Sequence, residues 1–245
     1  MLQCTMVIEL LSPGDDEMDE HGISFFGLLM VIWISLTPVH AQEETPEWAE
    51  LSERWAKIRY EYPAERRVAA LEALREKSKA MMALQPERAE PMVWHAVILS
   101  SLGRFVGGSE GLGLAKQAKR YLDQAEKIQP EALDGLIYTL KGSLYLKVPG
   151  WPVGFGDPLM AQSSLLRALE IDPGNIDANF FYGEYHMHNR NYSSAIESFE
   201  RVLSAEPRPG QGLADAGRKR EARAGIAEAR ESIQRQQQEV ERVLQ

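Results

Sequence analysis

Apolar residues recur every three to four positions along most of the chain from residue 47 onward, with polar residues between them and Pro or Gly at the breaks. That period belongs to helices packed on one face. Trp48, Leu51, Trp55 and Ile58 mark a stripe over 47–61, and Val68, Leu71, Leu74 and Met81 mark a second over 64–84. Pro63 separates the two and Pro86 ends the second, so the pattern predicts a helical hairpin, read as an amino-terminal cap or first repeat. Segments 91–102 and 116–128 predict a second hairpin, with Ala96 as the small residue of its first helix and Ala118, Leu122, Ala125 and Pro130 in its second. A third hairpin uses Gly142, then Ala161, Leu165, Ala168 and Pro173, and a fourth uses Gly183, then Ala195, Phe199, Val202 and Pro207.

These hairpins are copies of one another. Ala118, Ala161 and Ala195 are 43 and then 34 residues apart, and Leu122, Leu165 and Phe199 keep the same intervals, as do Pro130, Pro173 and Pro207. Gly183, Ala195, Phe199 and Pro207 follow the order of small residue, Ala-x-x-x-Phe and Pro of a repeat of about 34 residues. On these residues the chain resembles the tetratricopeptide repeat family, although Asn179 and Tyr182 stand where that family carries Trp and Leu. The resemblance implies an all-α, tetratricopeptide-like superhelical solenoid of about four hairpins over 47–207, followed by a C-terminal capping helix and tail over 208–245.

The second and third hairpins are longer than the fourth, and the extra residues fall between their two helices. Both inserts are glycine-rich, 103–114 (GRFVGGSEGLGL) and 148–157 (VPGWPVGFGD), and are expected as two neighbouring loops on one edge of the solenoid. In the second, Pro149 and Pro152 restrict the backbone around Trp151. Two readings stand for this loop. Trp151 and Phe155 either hold a ligand or partner, or fold back over the helix ends, with Asp157 capping the next helix ahead of Pro158.

In tetratricopeptide proteins the first helices of successive repeats line a concave groove. That resemblance puts Leu136, Thr139, Ser143 and Leu146 of the third repeat there, with Asp177, Phe180, Glu184, Met187 and His188 of the fourth; the alternative is that some of these pack inward. The long repeats behind a leader are also similar to exported tetratricopeptide proteins of Gram-negative bacteria. A weaker similarity, over about 91–216, is to the tetratricopeptide component associated with tripartite ATP-independent periplasmic (TRAP) transporters.

Charge adds little to this picture. The net charge of −9 is concentrated in residues 1–41, which hold six acids and no Lys or Arg; the remainder carries 30 acids and 27 bases. A nucleic-acid surface would need a basic face, so no nucleic acid is expected. The run Arg218, Lys219 and Arg220 lies among acids and reads as a solvated helix face. Residues 23–39 form an apolar run followed by His40 and Ala41, as in a secretory signal with small residues at Val39 and Ala41 ahead of a cleavage site. No basic residue precedes that run, so an uncleaved anchor in the inner membrane, or a misassigned start, remains the alternative. Cys4, the only cysteine, precedes the run and is neither a lipoprotein cysteine nor available as a nucleophile later in the chain.

Catalytic signatures are missing. The glycines of 103–114 have no Gly-Lys-Ser/Thr ending, and His186 and His188, two apart on a helix, point in different directions and chelate one ion poorly. His95, beside Trp94, reads as a core or interface residue. The sequence therefore predicts a non-enzymatic, periplasmic or secreted protein with no cofactor or metal, binding another protein or a peptide through its groove and inserted loops. The alternative is a small-solute accessory of a periplasmic transporter system.

Overall fold

The computed structural model describes residues 47–244; the leader over 1–41, with its apolar run, lies outside the described residues. Among the described residues the helices are α1 (Glu47–Tyr60), α2 (Ala64–Leu84), α3 (Ala89–Val106), α4 (Gly108–Ile128), α5 (Ala132–Lys147), α6 (Pro158–Ile171), α7 (Ile176–His188), α8 (Tyr192–Ser204) and α9 (Gly212–Leu244). No strand occurs among them, and none of these helices is long and apolar enough to cross a membrane. Consecutive helices pair as α1/α2, α3/α4, α5/α6 and α7/α8, an all-α solenoid of four hairpins.

The small residues sit where the hairpins close. In α7 and α8, a Cβ placed on Gly183 would lie 2.6 Å from Phe199 Cε1, and Phe199 is buried together with Ala195 and Val202. The same device works in α5 and α6, where Leu165 covers Gly142 and Ala161 and Ala168 are fully buried. Asn175 caps α7 by accepting the N–H of Ala178 at 2.9 Å, and Asp157 caps α6 by accepting those of Leu159 and Met160 at 2.9 and 3.1 Å.

The glycine-rich stretch 103–114 is helical, against the expectation of a loop. α3 runs on to Val106, α4 starts at Gly108, and the turn is confined to Gly107 and Gly108, both at positive φ. The other glycines serve close approach: a Cβ on Gly103 would lie 2.8 Å from the Gly111 carbonyl oxygen, and one on Gly111 would collide with the Gly103 carbonyl. Glycine here lets two extended helices touch backbone to backbone.

The carboxyl end also differs from expectation. α9 packs on α8 and α7, as a capping helix should, but its first half also packs on α1. The contacts α1·α3, α3·α5, α5·α7, α7·α9 and α9·α1 therefore join the five inner helices into a closed ring. Beyond Ile233, α9 is exposed.

His95 is 3% exposed, with Nδ1 2.7 Å from Ser78 Oγ and its ring edge-on to Tyr121. Desolvation, then Arg75 and Lys79, lower its pKa from 6.5 to about 4. A folded-state value below the unfolded one means the unfolded chain binds the proton first, so this stability is present above pH 6.5 and is lost as pH falls toward 4. Urea unfolding at pH 7 and pH 5 is expected to show about 2 kcal/mol lost through this group, and His95→Gln should make the pH dependence shallower by that amount.

Candidate functional site

The ring encloses a cavity of about 900 Å³. Its wall is built by one stripe from each inner helix. From α1 come Trp48, Ser52, Trp55 and Arg59; from α3, Trp94, Val97, Ser101 and Arg104; and from α5, Leu136, Leu140, Ser143 and Lys147. These spacings of three and four place each set on one helix face. Trp55 and Trp94 stand 6.3 Å apart, and the Trp55 indole N–H donates to Ser101 Oγ at 2.8 Å.

The remaining side is polar and belongs to α7 and α9. Arg218, 6% exposed, donates from Nε to Asp177 Oδ1 and from Nη1 to Glu221 Oε2, both at 2.7 Å. Arg208 reaches the other Asp177 oxygen at 2.9 Å and also grips Asp215, whose Oδ1 lies 2.6 Å from its Nη2. Glu221 in turn accepts Arg59 Nη2 of α1 at 2.7 Å. Three acids and three arginines thus alternate along one chain joining α1, α7 and α9. Burial alone would raise the Asp177 pKa, but Arg218 and Arg208 outweigh it and hold the carboxyl at about 2. The Arg218 guanidinium also lies 4.3 Å from the centre of the Phe180 ring and 5.0 Å from that of Phe181. The expected solvated basic face is therefore corrected at Arg218, which is a buried fastening, while Lys219 donates to the Ala205 carbonyl and Arg220 lies over the Tyr60 ring.

Arg104 differs from the other arginines of the cavity. It forms no ion pair or hydrogen bond with any described residue, and its side chain stays accessible within the cavity. Desolvation, and then Arg59, lower its pKa.

Of the groove residues inferred from the repeat, Leu136, Ser143 and Asp177 line the cavity. Thr139 is buried and donates to the Gly135 carbonyl, Phe180 is buried against Phe199, and Leu146 and Met187 pack on the apolar cluster that contains Phe199. Glu184 accepts Lys147 Nζ at 2.6 Å. The open choice between groove and interior thus resolves differently position by position. His186 lies edge-on to Tyr182 at 4.3 Å, with its pKa lowered by burial, while His188 is exposed. Sequence reasoning missed Arg104 and the Trp55–Trp94 wall, although the α1 and α3 stripes were visible at helical spacing once α3 is given its full length.

The loop 148–157 divides its two aromatics. Phe155 turns inward, edge-on to Tyr145 at 5.8 Å, whereas Trp151 is 89% exposed. Its base is pinned by Gly156 N–H donating to the Pro149 carbonyl and Asp157 N–H to the Tyr145 carbonyl. Val153, Leu159 and Met160 are exposed beside Trp151 in sequence.

The tetratricopeptide repeat family model matches residues 176–209, the α7/α8 hairpin and the turn after it. The α7/α8 hairpin is a tetratricopeptide repeat. Among solved structures, the chain is similar to a thermophilic TPR protein of Thermus thermophilus, at 19% identity and TM-score 0.49, over 63% of this chain and 73% of that one. It is also similar to MamA, at 19% identity and TM-score 0.38 over 71% of this chain and 95% of MamA. No curated protein matches it.

The ion chain makes the site sensitive to Asp177. Asp177→Ala leaves Arg218 buried without its main counter-charge, and unfolding in guanidinium chloride should show a loss of about 3 kcal/mol or more. A loss below about 1 kcal/mol would mean that α7 and α9 are held together without it.

Proposed function

We propose that this chain is an exported, non-enzymatic scaffold that meets a partner protein through the edge carrying Trp151, not along an open concave groove. Tetratricopeptide repeats suggest a protein–protein interaction scaffold, which supports the general reading. The observation that carries the specific one is Trp151, 89% exposed on a loop whose base is braced by its own hydrogen bonds. A large aromatic held outward with little freedom left to lose is the kind of residue that dominates an interface. The usual alternative, a peptide laid along the inner helices, fits less well because contact between α9 and α1 closes the groove.

A second reading, a small-solute accessory protein, is favoured by the cavity that this closure creates. Its volume of about 900 Å³ and largely apolar wall suit a small molecule better than a polypeptide. The two readings are compatible, since the partner edge lies on the loop and the solute inside the ring.

Trp151→Ser is expected to leave helical content and thermal unfolding unchanged while reducing, at least tenfold, the partner recovered on co-purification from the native cells. Recovery of the same partner in the same yield sinks the edge assignment. For export, mass spectrometry of the native protein should find an amino end at Gln42; an intact leader on membrane-bound protein would replace cleavage by anchoring.

A further inference from the structure

We propose that the central cavity binds one amphipathic monocarboxylate, with its carboxylate on the Arg104 guanidinium and its apolar body along the wall formed by Trp55, Trp94 and Leu140. This rests on the small-solute reading above and adds the class of ligand. Three observations lead to it. The wall is mostly apolar, so a ligand filling it needs an apolar body. The other arginines of the cavity, Arg59, Arg208 and Arg218, are each engaged by Asp177, Asp215 or Glu221, so they offer no unspent charge. Arg104 lines the same cavity with no such partner among the described residues.

A cation in that position has lost part of its hydration without gaining a counter-ion among the described residues, and the neighbouring Arg59 disfavours it further. An anion placed there repairs both defects. A guanidinium presents two parallel donors to a planar carboxylate, which makes that head group the natural fit. The charge of the ligand is limited to one, because Glu184 and Glu221 also act on Arg104 and one Glu184 oxygen is buried without a hydrogen bond. A dianion such as a phosphate monoester would add repulsion against these carboxylates.

The test is calorimetric titration of the full chain at pH 8 with decanoate, 1-decanol and decyl phosphate. Decanoate should bind at one site per chain, at least tenfold tighter than 1-decanol, and tighter than decyl phosphate. Arg104→Met, at a residue that makes no hydrogen bond or ion pair with any described residue, should bring decanoate down to the level of decanol. Ser143→Phe, which sets a ring on the wall where the apolar body would lie, should abolish binding of both. Equal affinity for decanoate and decanol, unchanged decanoate binding in Arg104→Met, or a preference for decyl phosphate each overturns the assignment. If decanol and decanoate bind equally and both are lost in Ser143→Phe, the cavity still takes a solute and only the carboxylate falls. If neither binds, or binding survives Ser143→Phe, the solute reading falls with it.

Discussion

The contact between α9 and α1 decides what kind of object this solenoid is. Without it, the inner helices would line an open trough and α1 and α9 would be two free ends. With it, the same helices become the wall of a cavity. The contact is made by polar and small groups: Arg59 on Glu221, and the Tyr60 ring against the bare backbone of Gly217. Any side chain at residue 217 would occupy the space of that ring, so the close approach depends on glycine. The Arg218–Asp177 pair then ties the closing helix to α7. Buried ion pairs often add little net stability compared with apolar residues of the same shape. Their directional bonds do fix which atoms meet, and registry is what a ring of helices needs at its seam.

Closure also explains how the aromatic and polar residues are distributed. A solenoid hairpin cannot bury its own apolar face and relies on its neighbours. In an open array the last inner face would be solvated and polar. Here both terminal inner helices face a cavity, and α1 keeps Trp48 and Trp55 on that side. On the outer surface, Trp151 and Leu159 project at the turn of the third hairpin while Phe155 anchors the loop from beneath. Inside and edge are thus chemically distinct surfaces.

The hairpins were legible because their determinants are local. Ala118, Ala161 and Ala195 repeat in step with the bulky residues four positions later, and any helix of that register must pack in the same way. The extension of α3 and α4 was not legible, since glycine serves both turns and helix crossings, and only the pairing of Gly103 with Gly111 distinguishes the two. Arg218 failed for a related reason: a basic run looks alike whether it meets solvent or a carboxylate brought from elsewhere in the chain. Arg59 and Glu221 are 162 residues apart, and no periodicity encodes their meeting. Candidate site residues on the regular hairpins divided accordingly. Leu136 and Ser143 reach the cavity, while Thr139, in the same helix, turns into the core.

The departure from the regular repeat is therefore where the two proposed sites concentrate. The fourth hairpin, with the family spacing, contributes packing and the Asp177 anchor. The second, lengthened by turns of helix, carries Arg104 beyond the point where a regular first helix would end, and brings Leu112 of α4 to 3.3 Å from where a Cβ on Gly154 would sit. The same elongation thus sets an uncompensated charge at the cavity and supports the loop that holds Trp151 outward. A shorter α3 and α4 would remove both at once, which makes the paired backbone approach of Gly103 and Gly111 a condition for the interior site and the outer edge alike.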